Sequence, residues 1–533
     1  MTTEALPVAT SQVPALLIVV PLMAAPLVIL LRKWPTLCWA LTTLVCGGCA
    51  IYAFKLLLWV RADGPINYFM GNWPAPWGIE LRVDLLSALV LVLVAGIGFI
   101  VSVYAKASVE KEFKQEKQPL FYTLFLLCLA GLLGITISGD AFNVFVFLEI
   151  SSLATYALIA MGPDRRALTA AFRYLILGTI GATFYVIGIG FLYAATGTLN
   201  MTDLAGRLPD MADQRSVITG IAFIAIGLAM KAAVFPMHKW LPPAYTYAPS
   251  VISTFLAATA TKVALYAFIR MFLTVLGPIE AFQSQGGFFS PAELLAVLAF
   301  AGMFSASISA IFQYNAKRLL AYSSIGQVGY MLLGLSFFSV IGLSATIVHL
   351  FNHGVMKAAL FMALGCVFYR IGSVRIRDMA GLGKTMPLTM AAFVTAGLSL
   401  IGVPATAGFV GKWQLVLASF EHGWWWAALL IGLASLLAVI YVWKVVEAAY
   451  FTVPADDAPS RTATEAPLFM LIPLLIMAVA NIYFGLQTDL SLGTAQEAAA
   501  YLLDPSHGVL DPATLPAIDY KPGGSTAILG GQH

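Results

Sequence analysis

Long apolar runs separated by short polar loops dominate this chain. A helix needs about 20 apolar residues to cross a bilayer, and 14 runs of that kind can be counted. We therefore predict an all-α polytopic membrane protein with about 14 transmembrane helices. The predicted spans begin near Pro14, Thr36, Asp84, Leu120, Ala141, Leu168, Val217, Pro249, Pro291, Ala321, Ile341, Met386, Trp424 and Pro467.

Two of these spans contain residues that interrupt a helix. The seventh carries Pro236 five residues after Lys231, and the twelfth carries Pro404 between Gly402 and Gly408. Proline removes a backbone hydrogen bond, and irregular backbone at membrane depth is tolerated only inside protein or beside water. Paired interrupted helices point to a transport site and an internal repeat. Their separation of five spans predicts two inverted five-helix repeats, with helices 7 and 12 broken.

The predicted repeats divide the chain into five parts. Residues 1–118 hold spans 1 to 3 and an outer hairpin, residues 119–278 and 279–452 are the repeats, residues 453–487 hold the last span, and residues 488–533 form an extended outer tail. Lysine and arginine gather in the loops after odd-numbered spans. Because such loops stay in the cytoplasm, we expect both termini outside and a bacterial inner-membrane location.

Composition supports this class and excludes others. The chain is 60% hydrophobic and 10% charged with a mean hydropathy of +0.88, whereas soluble domains are about 25% charged. A membrane-embedded chain is not expected to bind nucleic acid. No phosphate-binding loop, haem, iron–sulfur or zinc spacing is present, so no cofactor or metal is predicted. The pair Cys46 and Cys49 is interpreted as a helix contact, with a redox or metal site as the alternative.

Ionisable residues interrupt several of the apolar runs. A charge at the bilayer centre costs about 2.5–3.5 kcal/mol on insertion scales, so such residues usually mark an ion or proton pathway. We expect Glu149 to pair with Lys231 and switch its state with proton movement; a static salt bridge is the alternative. Lys262 is expected to carry protons, with snorkelling as the alternative. Asp84 and Asp140 stand at span starts and are expected to be helix caps.

Three further residues lie on one predicted helix face. His349, His353 and Lys357 are spaced i, i+4, i+8, which spans about two helical turns. Histidine titrates near neutral pH, so the row suits stepwise proton transfer; a metal pair or packed histidines are the alternatives. Lys412 follows the second break and is expected to exchange protons with solvent. Its alternative is an ordinary basic residue at a helix end.

Three segments carry a family resemblance. They are KAAVFPMHKWLPPA (231–244), QYNAKRLLAYSSIG (313–326) and HLFNHGVMKAALF (349–361). They resemble blocks of the antiporter-like subunits of complex I, membrane-bound hydrogenases and Mrp-type cation/proton antiporters. The chain departs from the family pattern at Ala233, where proline is usual, at Pro243, where aspartate is usual, and at Asn315, where an acidic residue is usual.

The resemblance implies roles for the residues already named. Glu149 and Lys231 would form a pair, Lys262 would be the middle carrier, the His349–Lys357 helix would follow, and Lys412 would be the terminal site. A lysine at 412 resembles the Mrp D-type pattern. The resemblance thus predicts a non-enzymatic, proton-translocating subunit of a multisubunit Mrp-type Na⁺/H⁺ antiporter, with H⁺, Na⁺, lipid and other subunits as partners. A complex I-like or hydrogenase subunit is the first alternative, and a standalone secondary transporter the second.

Overall fold

The computed structural model describes residues 12–277, 290–456 and 458–504. Within these ranges, 12 helices are long and apolar enough to cross a membrane by length and composition. Two further crossings each consist of two shorter helices, so the predicted set of spans is recovered. The spans are 1, Val13–Leu30; 2, Pro35–Asp63; 3, Leu85–Glu112; 4, Gln118–Ile137; 5, Ala141–Ala160; 6, Arg166–Thr196; 7, Arg215–Lys231 with Leu241–Tyr247; 8, Ser250–Ala258 and Ala260–Ile269, continued by the π-helical turn Arg270–Val275; 9, Pro291–Ile311; 10, Ala316–Ser336; 11, Val340–Ile371; 12, Pro387–Ile401 with Ala407–Glu421; 13, Trp425–Phe451; and 14, Leu468–Leu486.

Spans 7 and 12 are broken where proline and glycine predict a break. The first half of span 7 ends at Lys231, and Ala233 follows with a φ of 56°. The first half of span 12 ends at Ile401, and Ala405 follows with a φ of 66°. A positive φ at a residue other than glycine is uncommon. Both breaks leave carbonyl groups at a helix end free to bind a side chain within the bundle.

Matching features recur in the two predicted repeats. In each repeat, a glycine in the left-handed conformation follows the third span. The residue three positions after that glycine forms an isolated β-bridge with the residue that precedes the second span. The two trios are Asp140, Gly197 and Asn200, and Asn315, Gly372 and Arg375. Because five crossings separate the two trios, they lie at opposite ends of the bundle. This arrangement fits an inverted repeat.

The helices differ sharply in how deeply they are buried. In spans 8 and 10, 94% of the most apolar stretch is buried, and in span 11 the share is 78%. Spans 9 and 13 bury only 39% and 33% of theirs. Span 4 also buries 78%, so spans 4, 8, 10 and 11 form the centre of the bundle and are largely shielded from lipid.

The segments outside the spans refine two predictions. Ile66–Phe69 pairs antiparallel with Glu80–Val83, so the predicted hairpin contains a two-stranded sheet. The prediction of an extended tail from residue 488 is wrong for Thr494–Leu503, which is a helix packed on spans 3 and 11. Its alanines at 495, 498 and 499 form a buried face of helical periodicity. The rest of the predicted tail, 505–533, lies outside the described residues.

Candidate functional site

The middle of span 5 and the break in span 7 bring the first charged residues together. Lys231 Nζ lies 3.5 Å from Glu149 Oε1 and donates a hydrogen bond of 2.7 Å to Ser152 Oγ. Glu149 and Ser152 are three residues apart, so one helix face presents both to the lysine. The Lys231 side chain is 4% exposed, whereas that of Glu149 is 25% exposed. The carboxylate therefore lies at the edge of the bundle and the ammonium inside it.

A small cavity with a mostly apolar lining lies between Lys231 and span 8. Its volume is about 20 Å³, which is room for about one water molecule. Hydroxyl-bearing residues of span 5 and small apolar residues of span 8 line it, together with leucine and isoleucine side chains of spans 4 and 5. The lining includes Ser151, Ser152, Thr155, Lys231, Ala260, Val263 and Ala264. The cavity therefore separates Lys231 from the helix that carries Lys262.

Lys262 lies just past an irregularity in span 8. Thr259 interrupts the helix with φ −124° and ψ −54°, and its hydroxyl donates to the Phe255 carbonyl. The ammonium of Lys262 donates to the carbonyl of Ala257 and, at 3.4 Å, to the Thr261 hydroxyl. Lys262 is 1% exposed, so its charge points into the bundle and snorkelling is excluded.

Span 11 carries the predicted histidine and lysine row through the core. His349 Nε2 lies 2.8 Å from Gln327 Oε1, and the His349 and His353 rings are parallel with centroids 6.2 Å apart. Lys357 Nζ donates to Ser323 Oγ at 2.5 Å and to the Leu320 carbonyl at 2.8 Å. All three side chains of the row are fully buried.

Lys412 is held by the break in span 12. Its ammonium donates to the Leu400 and Ile401 carbonyls at 3.1 and 2.8 Å, and to Ser435 Oγ at 3.1 Å. It also stands 4.7 Å from the centroid of the Tyr330 ring. Because Lys412 is only 5% exposed, it is not an ordinary solvated residue at a helix end. The carbonyls that solvate it are those freed by the interrupted helix.

The predicted residues form two groups in the fold, the Glu149–Lys231 pair and the set of Lys262, His349, His353, Lys357 and Lys412. Lys262 acts electrostatically on both His353 and Lys357, and Lys412 acts on both histidines. Hydroxyl and carbonyl oxygens solvate each lysine, and within the described residues only Lys231 also meets a carboxylate. An amine solvated this way can release its proton without stranding a buried carboxylate. The buried lysine line is defined as Glu149, Lys231, Lys262, His349, His353, Lys357 and Lys412.

A buried ion pair was not predicted. Asp84 does cap span 3, accepting from the Ser87 N–H at 2.9 Å, but it also binds both terminal nitrogens of Arg270 at 2.6 and 2.7 Å. Both residues are nearly inaccessible to solvent. Arg270 interrupts an apolar run, as the residues of the buried lysine line do. A buried arginine needs a carboxylate partner, so the sequence pattern could have predicted this pair. Asp140 is a cap for span 5, as expected.

The cysteines and histidines do not suggest a metal centre. Among the described residues, no group of three or more His, Cys, Asp or Glu could hold a metal ion. Cys46 and Cys49 are buried free thiols, and a Cβ added at Gly47 would lie 3.2 Å from the Phe99 ring of span 3. This contact fits close packing of spans 2 and 3.

Two broken spans and a line of buried lysines in a bundle of this kind define an antiporter-like membrane subunit. Residues 138–438 match the family described as NADH:quinone oxidoreductase/Mrp antiporter, transmembrane. The chain belongs to this family, whose members are parts of Mrp-type or complex I-type assemblies.

Individual relatives fall on both sides of the family. The chain is 42% identical to NADH-quinone oxidoreductase subunit N of Desulforudis audaxviator, over 90% of this chain and 96% of that one. It is 31% identical to the D-type subunit of the Na(+)/H(+) antiporter of Bacillus subtilis, over 92% and 96%. Chains in the Mrp complex of Dietzia sp. DQ12-45-1b and in an archaeal membrane-bound sulfane sulfur reductase both superpose with a TM-score of 0.85. Their identities are 26% and 32%, each covers 94% of this chain, and the matches span 99% and 100% of those chains.

Proposed function

We propose that this chain translocates protons through the buried lysine line as one subunit of a multisubunit Mrp-type Na⁺/H⁺ antiporter. The observation that carries this proposal is the pair Lys262 and Lys357. Both are buried, both are solvated by hydroxyl and carbonyl oxygens, and each lies within electrostatic reach of the other. The state in which only one of the two amines is protonated is favoured over the state in which both are, because like charges in a low-dielectric interior repel.

The proposed movement is a sequence of single proton transfers. A proton on Lys262 disfavours one on Lys357, so its departure lets the next amine take up a proton. His353 and His349 bridge toward Lys412, and the Glu149–Lys231 pair starts the line at the other end. When Lys231 loses its proton, Glu149 loses its counter-charge, and this change is what a neighbouring subunit would sense.

A partner subunit is part of the proposal because of Glu149. A quarter of this side chain is exposed at the middle of a span, where a charge facing lipid would cost about 2.5–3.5 kcal/mol. We infer that another subunit covers this face. The solved structures that resemble the chain come from multisubunit membrane complexes, which supports a hetero-oligomer. In the proposal, a partner couples the proton movement to Na⁺ export.

A second candidate is a proton-pumping, non-redox subunit of a complex I-like oxidoreductase. The 42% identity to a chain named NADH-quinone oxidoreductase subunit N favours it. The proteins that copurify in mild detergent separate the two candidates. Copurification with iron–sulfur or flavin subunits would support the oxidoreductase candidate and contradict the antiporter. Copurification with other antiporter-type membrane subunits would support the antiporter.

The test of proton translocation uses membrane vesicles that contain the assembled complex. Glu149→Ala and Lys231→Ala are compared with Lys239→Ala, which removes an exposed lysine eight residues beyond Lys231. We expect the first two variants to lose proton/cation exchange and the third to retain it. Copurification of the partner subunits verifies assembly in each case. Undiminished exchange with Glu149→Ala or Lys231→Ala would refute the role of this pair.

A further inference from the structure

Outside the buried lysine line, a second buried lysine cluster joins the ends of three spans. Glu112 ends span 3, Ser250 begins span 8, and Lys317 is the second residue of span 10. The Ser250 N–H lies 3.1 and 3.2 Å from the two Glu112 carboxylate oxygens. Lys317 Nζ donates to Ser250 Oγ at 3.3 Å and to the Ala248 carbonyl at 3.2 Å. One serine thus connects an acid and a lysine.

The cluster stands at a boundary between solvent and core. Lys317 is 4% exposed, whereas Glu112 is half-buried, and its chain neighbours Lys111 and Lys114 are exposed. The basic loops nearby belong to the set that the positive-inside rule places in the cytoplasm. The carboxylate is therefore reachable from that side, and the lysine lies behind it.

Span 8 leads from the cluster toward Lys262. Thr254 lies one turn beyond Ser250 and donates to its carbonyl at 2.9 Å. Ala257 lies about one turn further, and its carbonyl accepts from the Lys262 ammonium. Ser250 and Thr254 are both fully buried. Hydroxyl and carbonyl oxygens one turn apart thus lead from the cluster to the middle of the line.

Spans 10 and 11 lead from the same cluster toward Lys357. The carbonyl of Leu320, one turn beyond Lys317, accepts from Lys357 Nζ. On span 11, a Cβ added at Gly365 would lie 3.2 Å from Ser250, and one added at Gly354 would lie 3.0 Å from the Ala258 carbonyl. Lys357 lies between these two close contacts, so its part of span 11 runs beside this first part of span 8.

We propose that Glu112, Ser250 and Lys317 form an entry port that supplies protons from the predicted cytoplasmic side to Lys262 and Lys357. This inference rests on the proposed function. Lys317 passes one proton by way of the buried hydroxyls toward a neutral amine of the line and regains one from solvent through Glu112. One proton enters for each proton delivered, so the port returns to its starting charge.

Besides the Ser250 N–H, the Glu112 carboxylate accepts a hydrogen bond from Ser108 Oγ at 3.0 Å. Glu112 acts electrostatically on Lys317 and on Tyr104 of its own span. Span 8 contributes the Ser250 hydroxyl, and span 11 places the Phe368 ring 5.5 Å from Lys317 Nζ. Lys317 therefore faces the carboxylate of Glu112 across Ser250.

The test compares variants of Lys317 in proteoliposomes that contain the whole complex. Lys317→Met is expected to lower the rate of proton uptake about a hundredfold, the lower end of what a positioned proton-transfer group contributes, and to displace its pH profile on the port side. Arg318→Met is the matched control, since it removes the exposed neighbouring charge. Lys317→Arg keeps the charge but does not release a proton, so we expect it to be as slow as Lys317→Met.

The outcomes separate the port from the line. A Lys317→Arg complex with the wild-type rate would show that charge alone suffices and would overturn the port in favour of a static contact between spans 3, 8 and 10. A normal rate in Lys317→Met with exchange abolished in Lys262→Met would remove the port and leave the proposed function standing. Normal rates in both variants would remove both.

Discussion

Replacing Arg270 with methionine would leave the Asp84 carboxylate buried without its main partner. The wild-type carboxylate receives two hydrogen bonds from Arg270 and two from Ser87, one from its N–H and one from its hydroxyl. Methionine has a similar length and no charge, so it removes the ionic contact while filling much of the same space. The pair joins residues 186 positions apart, and its loss would loosen the contact between the ends of spans 3 and 8.

The structure sets the expected size of this effect. Removing one partner of a buried ion pair costs about 3–5 kcal/mol. The two bonds from Ser87 remain, each with a net worth of about 1.5–3 kcal/mol because the carboxylate is charged, so we expect a loss near the lower limit. The double variant Asp84→Asn with Arg270→Met removes the stranded charge, and replacing a buried pair by neutral groups is often close to neutral. We therefore expect it to recover about 2 kcal/mol of the loss.

The assay is the free energy of unfolding of the purified chain in a denaturing-detergent titration. Arg461→Met is the control, because Arg461 pairs with Asp456 on the surface with 44% and 99% of the two side chains exposed. Such a pair is worth about 0–1 kcal/mol. A cost below about 1 kcal/mol for Arg270→Met, or a double variant no more stable than the single one, would refute this reasoning.

Two further predictions concern packing and the buried lysine line. Gly188→Ala places a Cβ 2.6 Å from a carbonyl oxygen of span 7 and should lower the free energy of unfolding by about 1–3 kcal/mol. In Gly190→Ala the added Cβ has no atom within 4 Å, so this control should leave the free energy of unfolding unchanged. Equal losses in the two variants would contradict the contact. Ser323→Ala removes the hydroxyl bonded to Lys357, and because a hydrogen bond to a charged group is worth about 1.5–3 kcal/mol, proton transport in vesicles should fall at least about tenfold. Ser336→Ala removes a buried hydroxyl of the same span that donates to the Leu333 carbonyl, and it should transport normally. A wild-type rate in Ser323→Ala would argue against a role for that hydroxyl.

Features that depend on neighbouring residues in the chain could be predicted. The apolar runs recovered the set of spans because transfer of each helix to a bilayer depends on its own composition. Pro236 and Pro404 located the two breaks because a missing N–H is a local property. The interruption at Thr259 was missed, since threonine bends a helix only where its hydroxyl bonds back to the preceding turn.

The partners of the buried charges depended on the folded bundle. The sequence predicts that Glu149 pairs with Lys231 because ionisable residues are rare in apolar spans. The structure does bring the two side chains together. Ser152, the hydroxyl partner of Lys231, lies 79 residues from it in the chain.

The sequence by itself determined the membrane class, the number of spans, the two broken helices and which charges needed a partner, because hydrophobicity and helix interruption act locally. Only the tertiary structure decided which oxygen atoms solvate each lysine. A serine hydroxyl or a free carbonyl is common along any span, and it becomes a partner only where helix packing brings it within hydrogen-bond distance of a buried ammonium.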